Sequence, residues 1–446
     1  MGRRCNGPRE SKLNNEAPYQ TPHLYNLYPR LAGPMPAWPA HAERAAAMGF
    51  DWLYLNPWHF AGFSGSCYAV KDYARVDPQL LPDGHPDKHY EDTIRGDGGL
   101  GLLRDTLASI RAQGLRPIMD LVLNHTSRDS LLARDHPQWF ARDGNGEILS
   151  PSAIDPADAR NVTVWGDLAE IDNAHSPDRD NLWRHWIWLV ESGVQMGFEG
   201  FRCDAAYKVP AELWRELIAA AGRQRPGVQF FGEILGARLD EIDAMRESGL
   251  QFTFNSSKWW NFSEPWCLDQ QRAQPAWIRS VSFPESHDTP RLWSESRGIL
   301  NVQKQRYAFA AAFASGLMMP IGYEYGFQRR IDVVSTQASD WEMPNADLST
   351  FVGKVNWIRR THSALTSEMT EAITPLDRAT LLLEKEADTS LAYIAINKDW
   401  DAAQTIDLPQ SARGRRVIRV CRDGAPADEI AGPQLHTEPA EVAYLV

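Results

Sequence analysis

A chain of 446 residues with 43% hydrophobic content can bury a large core, enough for one big domain plus appendages. Its formal net charge of −12 argues against nucleic acid or an anionic membrane as the main partner and favours a neutral polar ligand. The five cysteines, Cys5, Cys67, Cys203, Cys267 and Cys421, are widely spaced and form no CxxC pair, which argues against a disulfide framework or a zinc site and for a reducing compartment.

The first twenty residues carry no apolar h-region, and residues 1–20 read as a loose leader. No stretch reaches membrane-spanning length, so the expected location is the cytoplasm. From His23 onward, short apolar runs of β type alternate with amphipathic helical stretches, the pattern of βα units around a parallel sheet. The strands read as HLYNLYP, FDWLYLNP, LRPIMDLVLN, FEGFRCD, VQFFGE, LQFTFNS, IRSVSFPE and ASGLMMPIG, and eight of them predict a closed barrel. WPAHAERAAAMG, GLGLLRDTLASIRAQG, NLWRHWIWLVESGVQMG and AELWRELIAAAG repeat apolar residues at helical spacing, and each is expected to stop at its terminal Gly.

Two connections are too long for simple βα loops, Trp58 to Asp97 and Thr126 to Asp180. The second, rich in Asp, Asn, Pro and Ser, reads as an excursion over the barrel mouth. Past a helix near Ser349 to Ser363, the runs TLLLEKE, SLAYIAINK, QTIDL, RRVIRVCRD and EVAYLV alternate with period two. The expected architecture is therefore α/β: a (β/α)8 TIM barrel over 21–370, with a small inserted subdomain at 126–180 after strand 3. An antiparallel β domain, expected as a sandwich, follows over 371–446.

Three acids follow three of the barrel strands: Asp204 in GFRCDAAYKVP, Glu233 in VQFFGEIL and Asp288 in SVSFPESHDTPR. The C-terminal ends of barrel strands are where such folds assemble active sites. A single strand-end Asp more often caps a helix or pairs with Arg, but three in register with barrel strands point to one cleft. Retaining cleavage of a glycosidic bond needs a carboxylate nucleophile and a protonated carboxyl flanking the anomeric carbon. Arg202, two residues before Asp204, shares its strand face and can hold it ionised. Glu233 lies among Phe230, Phe231, Ile234 and Leu235, an apolar setting that favours the protonated acid. Asp288, with His287 beside it, can bind sugar hydroxyls and stabilise oxocarbenium-like charge. The chain's 17 tryptophans include Trp259 and Trp260, which read equally as an acceptor platform or as packing.

The chain resembles the α-amylase superfamily, glycoside hydrolase family 13, and its motifs occur in the family's order. DLVLNH (Asp120 to His125), GFRCDA, GEIL and ESHD resemble the third-strand, nucleophile, acid/base and stabiliser motifs. LYLNP, CYAVKDY, WGDL and GLMMPIGYEYG resemble further segments, so the match spans about His23 to Gly326. Taken together, NLYPRLAGP, GFSGSCYAVKDY and FNSSKWW look most like the bacterial maltosyltransferase-like branch. The resemblance implies Asp204 as nucleophile, Glu233 as acid/base and Asp288 as stabiliser, with Tyr68, His125, Arg202 and His287 holding the reacting sugar.

Where the family's nucleophile motif often continues Lys-His, this chain has Tyr207 and Lys208, expected to meet the acceptor-side sugar in their own way. The change also bears on calcium: Asn124 and Asp167 offer two oxygens where the ion takes six to eight, so neither metal nor cofactor is expected. The expected activity is that of a retaining α-glycosidase or transglycosidase acting on an oligosaccharide. Transfer to phosphate remains open, as does a non-catalytic sugar-binding protein on the same barrel. No feature indicates an oligomeric state.

Overall fold

The computed structural model describes residues 21–88, 96–155, 158–273, 277–387, 390–424 and 428–446, so the expected leader lies outside the described residues. Eight parallel strands close into a barrel: β1 (His23–Leu27), β2 (Trp52–Leu55), β3 (Arg116–Leu121), β4 (Gly200–Cys203), β5 (Gln229–Glu233), β6 (Phe252–Phe254), β7 (Arg279–Ser282) and β8 (Gly316–Pro320). All eight coincide with the apolar runs of the sequence. Period-two alternation sends Leu24, Trp52, Tyr54, Ile118, Phe231, Phe252, Val281 and Met318 into one buried cluster inside the barrel. Their neighbours, such as Leu53, Met119, Phe201 and Phe230, join the larger cluster under the helices. Gly200 marks a tight level of that interior, where a Cβ would stand 2.9 Å from the Trp52 ring.

The helices α1 (Trp38–Ala47), α2 (Leu100–Ala112), α3 (Arg179–Met196) and α4 (Ala211–Gln224) lie where their periodicity places them. Gly49, Gly114 and Gly197 follow the first three with φ of 82°, 84° and 117°, the left-handed stop that a side chain resists. The fourth expected stop differs, because Gly222 is inside α4, which runs on to Gln224. Two long connections cross the mouth. In the first, His59–Ala61 pairs with Val70–Val76; in the second, His125–Ser127 pairs with Leu168–Glu170, and a hairpin joins Ser152–Asp155 to Asp158–Val164.

Helices α5 (Leu239–Ala244), α6 (Trp266–Ala273) and α7 (Leu300–Phe313) follow β5, β6 and β7, and after β8 helix α8 (Ser349–Thr361) leads into a five-stranded antiparallel sheet built from Thr370–Ala372, Thr380–Ala387, Ser390–Asn397, Val442–Leu445 and Val417–Arg419. One face of that sheet, through Leu382, Tyr393 and Ala443, shares a core with the two-stranded sheet of Gln404–Asp407 and Gln434–Thr437. The other face sends Leu381, Leu383, Ile394, Ile396 and Tyr444 into the barrel's helical layer.

Candidate active site

The inward row of β4 carries Gly200 and Arg202 and continues to Asp204, just past the strand, while the inward row of β5 carries Phe231 and then Glu233. Register pairs Arg202 with Asp120 on β3 and with Phe231 on β5, so the guanidinium sits between a carboxylate and an apolar wall. It is 4% exposed and donates through Nη1 to Asp204 Oδ1 at 2.6 Å and to the two oxygens of Asp120 at 3.0 and 3.2 Å. Its Nη2 also approaches Glu233 Oε2 at 3.9 Å, so one cation touches both carboxylates proposed for bond cleavage. The expected pairing of Arg202 with Asp204 is thus present, shared with Asp120.

Glu233 Oε2 accepts from the backbone N–H of Ala205, the residue after Asp204, at 3.0 Å, and Oε1 accepts from Leu235 N–H. Ala205 holds a left-handed φ of 42° at this contact. Burial pushes Glu233 up to about 7, opposed by the Arg202 charge and reinforced by Asp204 and Asp288. Leu235, Phe254, Phe283 and Met318 wall the same cleft. Asp204 and Glu233 therefore differ in environment: one is clamped to a guanidinium, while the other sits against hydrocarbon.

Asp288 lies past the end of β7, in a turn closed by Thr289 Oγ1, which accepts from Ser286 N–H at 3.0 Å. Its side chain is 53% exposed, with Oδ2 at 3.1 Å from Nε2 of the buried His287. His287 in turn lies 2.7 Å from the Tyr68 hydroxyl, and their rings are parallel within 8°. Tyr68 thus stands between Arg202 and His287. His125 is 8% exposed, and among the described residues neither ring nitrogen has a hydrogen-bond partner. Burial lowers its pKa, which leaves a neutral ring with an unmet donor and acceptor beside Asp204. Tyr207 is half-buried near Glu233, Glu241 and Asp204, and the Lys208 ammonium lies 5.1 Å from the Tyr207 ring centre and 3.5 Å from Glu241.

Sequence reasoning named Tyr68 but missed Tyr54, Asn56, Glu285 and Arg291 behind this front. Tyr54 and Tyr68 donate to Asp120 Oδ2 at 2.6 and 2.8 Å, and Asn56 contacts both hydroxyls. Glu285 and Arg291 pair at 2.9 Å, each side chain 2% exposed, beneath the turn that carries His287 and Asp288. The inward spacing of Tyr54 and Asn56 on LYLNP was the available signal for the first group.

Comparison with known proteins agrees with the geometry. Residues 16–142 match the family model described as glycogen debranching enzyme, glucanotransferase domain. Over 401 residues the chain is 27% identical to an α-1,4-glucan:maltose-1-phosphate maltosyltransferase of Burkholderia pseudomallei, covering 86% of this chain and 33% of the relative. A cyclomaltodextrinase of Geobacillus thermopakistaniensis is 22% identical, with 85% and 64% covered. The acarbose-bound α-amylase of Geobacillus thermoleovorans superposes with a TM-score of 0.74 at 16% identity over 97% of this chain and 99% of that one. The chain is thus similar in sequence to α-glucan-active enzymes and shares the fold of α-amylases. It spans about a third of the length of the Burkholderia maltosyltransferase.

Within this barrel the two candidate platform tryptophans separate. Trp260 is 1% exposed and packs on Phe262, Phe309 and Phe313, so it fills the core. Trp259 is 50% exposed and stands edge-on to Phe283, which lines the cleft. Among the described residues no three His, Cys, Asp or Glu side chains gather where they could hold a metal ion. The two oxygen donors Asn124 and Asp167 do not by themselves make a calcium site.

Proposed function

We propose that this chain is a retaining glycoside hydrolase or transglycosidase that cleaves α-glucosidic linkages of gluco-oligosaccharides through a covalent glycosyl-enzyme. The observation that carries the reading is the contrast between the Arg-clamped Asp204 and the adjacent Glu233, held in its protonated range by burial. Asp204 Oδ attacks the anomeric carbon while Glu233 delivers its proton to the departing glycosidic oxygen, so the leaving sugar departs neutral. Glu233, now a carboxylate, then takes a proton from the acceptor hydroxyl, whose oxygen displaces Asp204 and regenerates both groups. Asp288, His287, His125 and Tyr68 hold the hydroxyls of the reacting sugar, and Asp288 faces the positive charge that builds on its ring. Tyr207, Lys208 and Trp259 form the acceptor side. A cytoplasmic setting fits the free, buried thiols of Cys67, Cys203, Cys267 and Cys421.

The test is Asp204→Asn on maltooligosaccharides, with the anomer of the first product followed by NMR. Turnover should fall by several orders of magnitude, and the parent should release the retained anomer. An inverted anomer, or a fully active Asp204→Asn, sinks the two-step mechanism. Phosphate as acceptor is the second reading, favoured by the maltosyltransferase names of the relatives and by two exposed cations. These are Lys208 and Arg330, the latter donating to the Asp288 carbonyl at 2.7 Å. Sugar phosphate formed only when phosphate is added separates it from hydrolysis.

A further inference from the structure

Behind the proposed sugar site runs a buried chain of side chains whose protons can be counted. Asp120 is 0% exposed. Its Oδ2 meets Tyr54 Oη at 2.6 Å, Tyr68 Oη at 2.8 Å and Arg202 Nη1 at 3.2 Å, and its Oδ1 meets the same guanidinium nitrogen at 3.0 Å. With donors on both oxygens and no acceptor opposite, Asp120 has no place for a carboxyl proton and acts as a carboxylate. Each phenol has one proton, and both are therefore spent on Asp120.

Two consequences follow for the neighbours. The phenolic oxygens can now only accept, so the Asn56 group 3.0 Å from Tyr68 Oη and 3.2 Å from Tyr54 Oη must be its NH2 end. That orientation is enforced from behind, because Asn26 Nδ2 donates to Asn56 Oδ1 at 2.8 Å and also to the Tyr54 carbonyl. On the other side, His287 Nε2 lies 2.7 Å from Tyr68 Oη and 3.1 Å from Asp288 Oδ2. Both of those oxygens are acceptors, so Nε2 must carry the hydrogen. His287 Nδ1, buried and without a partner among the described residues, is then the bare nitrogen of a neutral ring.

We propose that Asn56 is a positioning residue of this site: by donating to the Tyr54 and Tyr68 hydroxyls it commits both phenolic protons to Asp120 and thereby fixes His287 as the Nε2–H tautomer. Through Asp120 the same chain joins the Arg202 clamp on Asp204, but a guanidinium only donates, so the pattern the amide sets is the one facing Asp288. The inference rests on the reading of the three acids as a glycosidic site, but its main readout does not need turnover.

In the 15N-histidine-labelled protein, with His287→Gln used for assignment, NMR should show His287 Nε2 protonated and Nδ1 unprotonated at neutral pH. An Nδ1–H tautomer, or a rapidly exchanging mixture, overturns the proposal whether or not any α-glucoside is cleaved. A second arm uses Asn56→Asp, which keeps the shape but offers a donor only while protonated. The groups facing it are Asn26 on β1, Tyr54 on β2, Tyr68 in the following loop, and Asp120, Arg202 and His287 beyond them. Once the new carboxyl ionises, kcat should fall about tenfold to a hundredfold with little change in KM, the cost of replacing a buried donor by a charge. The alkaline limb of Asn56→Asp should therefore lie at lower pH than in the parent, with activity regained on acidification. A pH profile parallel to that of the parent overturns the proposal. A parent that cleaves no α-glucoside fails the proposed function instead, and leaves the tautomer result standing on its own.

Discussion

Glu233 is held between two opposing demands. A carboxyl facing Leu235, Phe254 and Phe283 resists ionisation, yet the proposed chemistry requires it to lose and regain a proton in each cycle. Its pKa, pushed up to about 7, fits both demands, and the sign of the pH dependence follows. The acid step should weaken as pH rises through about 7, so the alkaline limb of kcat/KM should turn near there. Glu233→Gln should abolish that limb on oligosaccharides yet still react with α-glucosyl fluoride, whose leaving group needs no proton. Stability moves in the same direction: the native state binds this proton more tightly than the unfolded chain, so stability is lost as pH climbs from the ordinary carboxylate range toward about 7. At pH 8, Glu233→Gln should therefore resist urea better than the parent, by on the order of 3 kcal/mol at most. Equal urea midpoints would show that burial is not what raises the acid. At this scale the sequence exposed what lies on one strand, since Arg202 and Asp204 share a face by period two. It hid how Tyr54 and Tyr68 meet at Asp120, because those contacts join residues 66 and 52 positions apart through hydrogen bonds that no local pattern encodes.

The turn after β7 shows how an element aims a side chain that its strand does not carry. Glu285 accepts from Arg291 Nη1 at 2.9 Å and from the Leu292 N–H, at the start of a short helix, while Arg291 also donates to the Ile321 carbonyl at 2.9 Å. The turn bearing His287 and Asp288 is thus tied at both ends to buried charge. Glu285→Gln leaves Arg291 buried without its counter-charge and should destabilise the protein by about 3 kcal/mol. It should also lower kcat through misplacement of Asp288. The pair Glu285→Gln with Arg291→Met should recover much of the stability but little of the rate, which denaturant melts and kinetics together would show. A single variant as stable as the parent would mean that the turn is held by packing alone. Elements that carry their signal in their own residues were legible: all eight strands as short apolar runs, and the three helices stopped by a left-handed Gly. The helix α7 (Leu300–Phe313) was not, because it has no polar face to betray its period.

That missing polar face belongs to the whole molecule. Val302, Tyr307, Ala308, Phe309 and Phe313 on α7 are all buried, since the barrel covers one side of the helix and the C-terminal sheet covers the other. The Tyr444 hydroxyl donates to the Ala308 carbonyl at 2.6 Å, and Lys385 Nζ donates to the Phe313 carbonyl at 2.8 Å, so the sheet is also hydrogen-bonded to the helix. At the foot of the barrel, Glu368 accepts from the backbone N–H groups of Ser280 and Ser315 at 2.8 and 3.0 Å, joining the segment that enters the sheet to β7 and its neighbour β8. A sheet attached this way is part of the barrel's core rather than a separate unit on a linker, and the two should unfold together. Ile396→Ala, on the sheet face turned toward α7, should cost about 2–5 kcal/mol. It should shift the urea midpoint for loss of catalysis and the midpoint for loss of far-UV ellipticity by the same amount, although Ile396 lies outside the barrel. If the ellipticity transition splits while catalysis keeps the parent's midpoint, the barrel stands alone and the shared layer around α7 adds nothing to it.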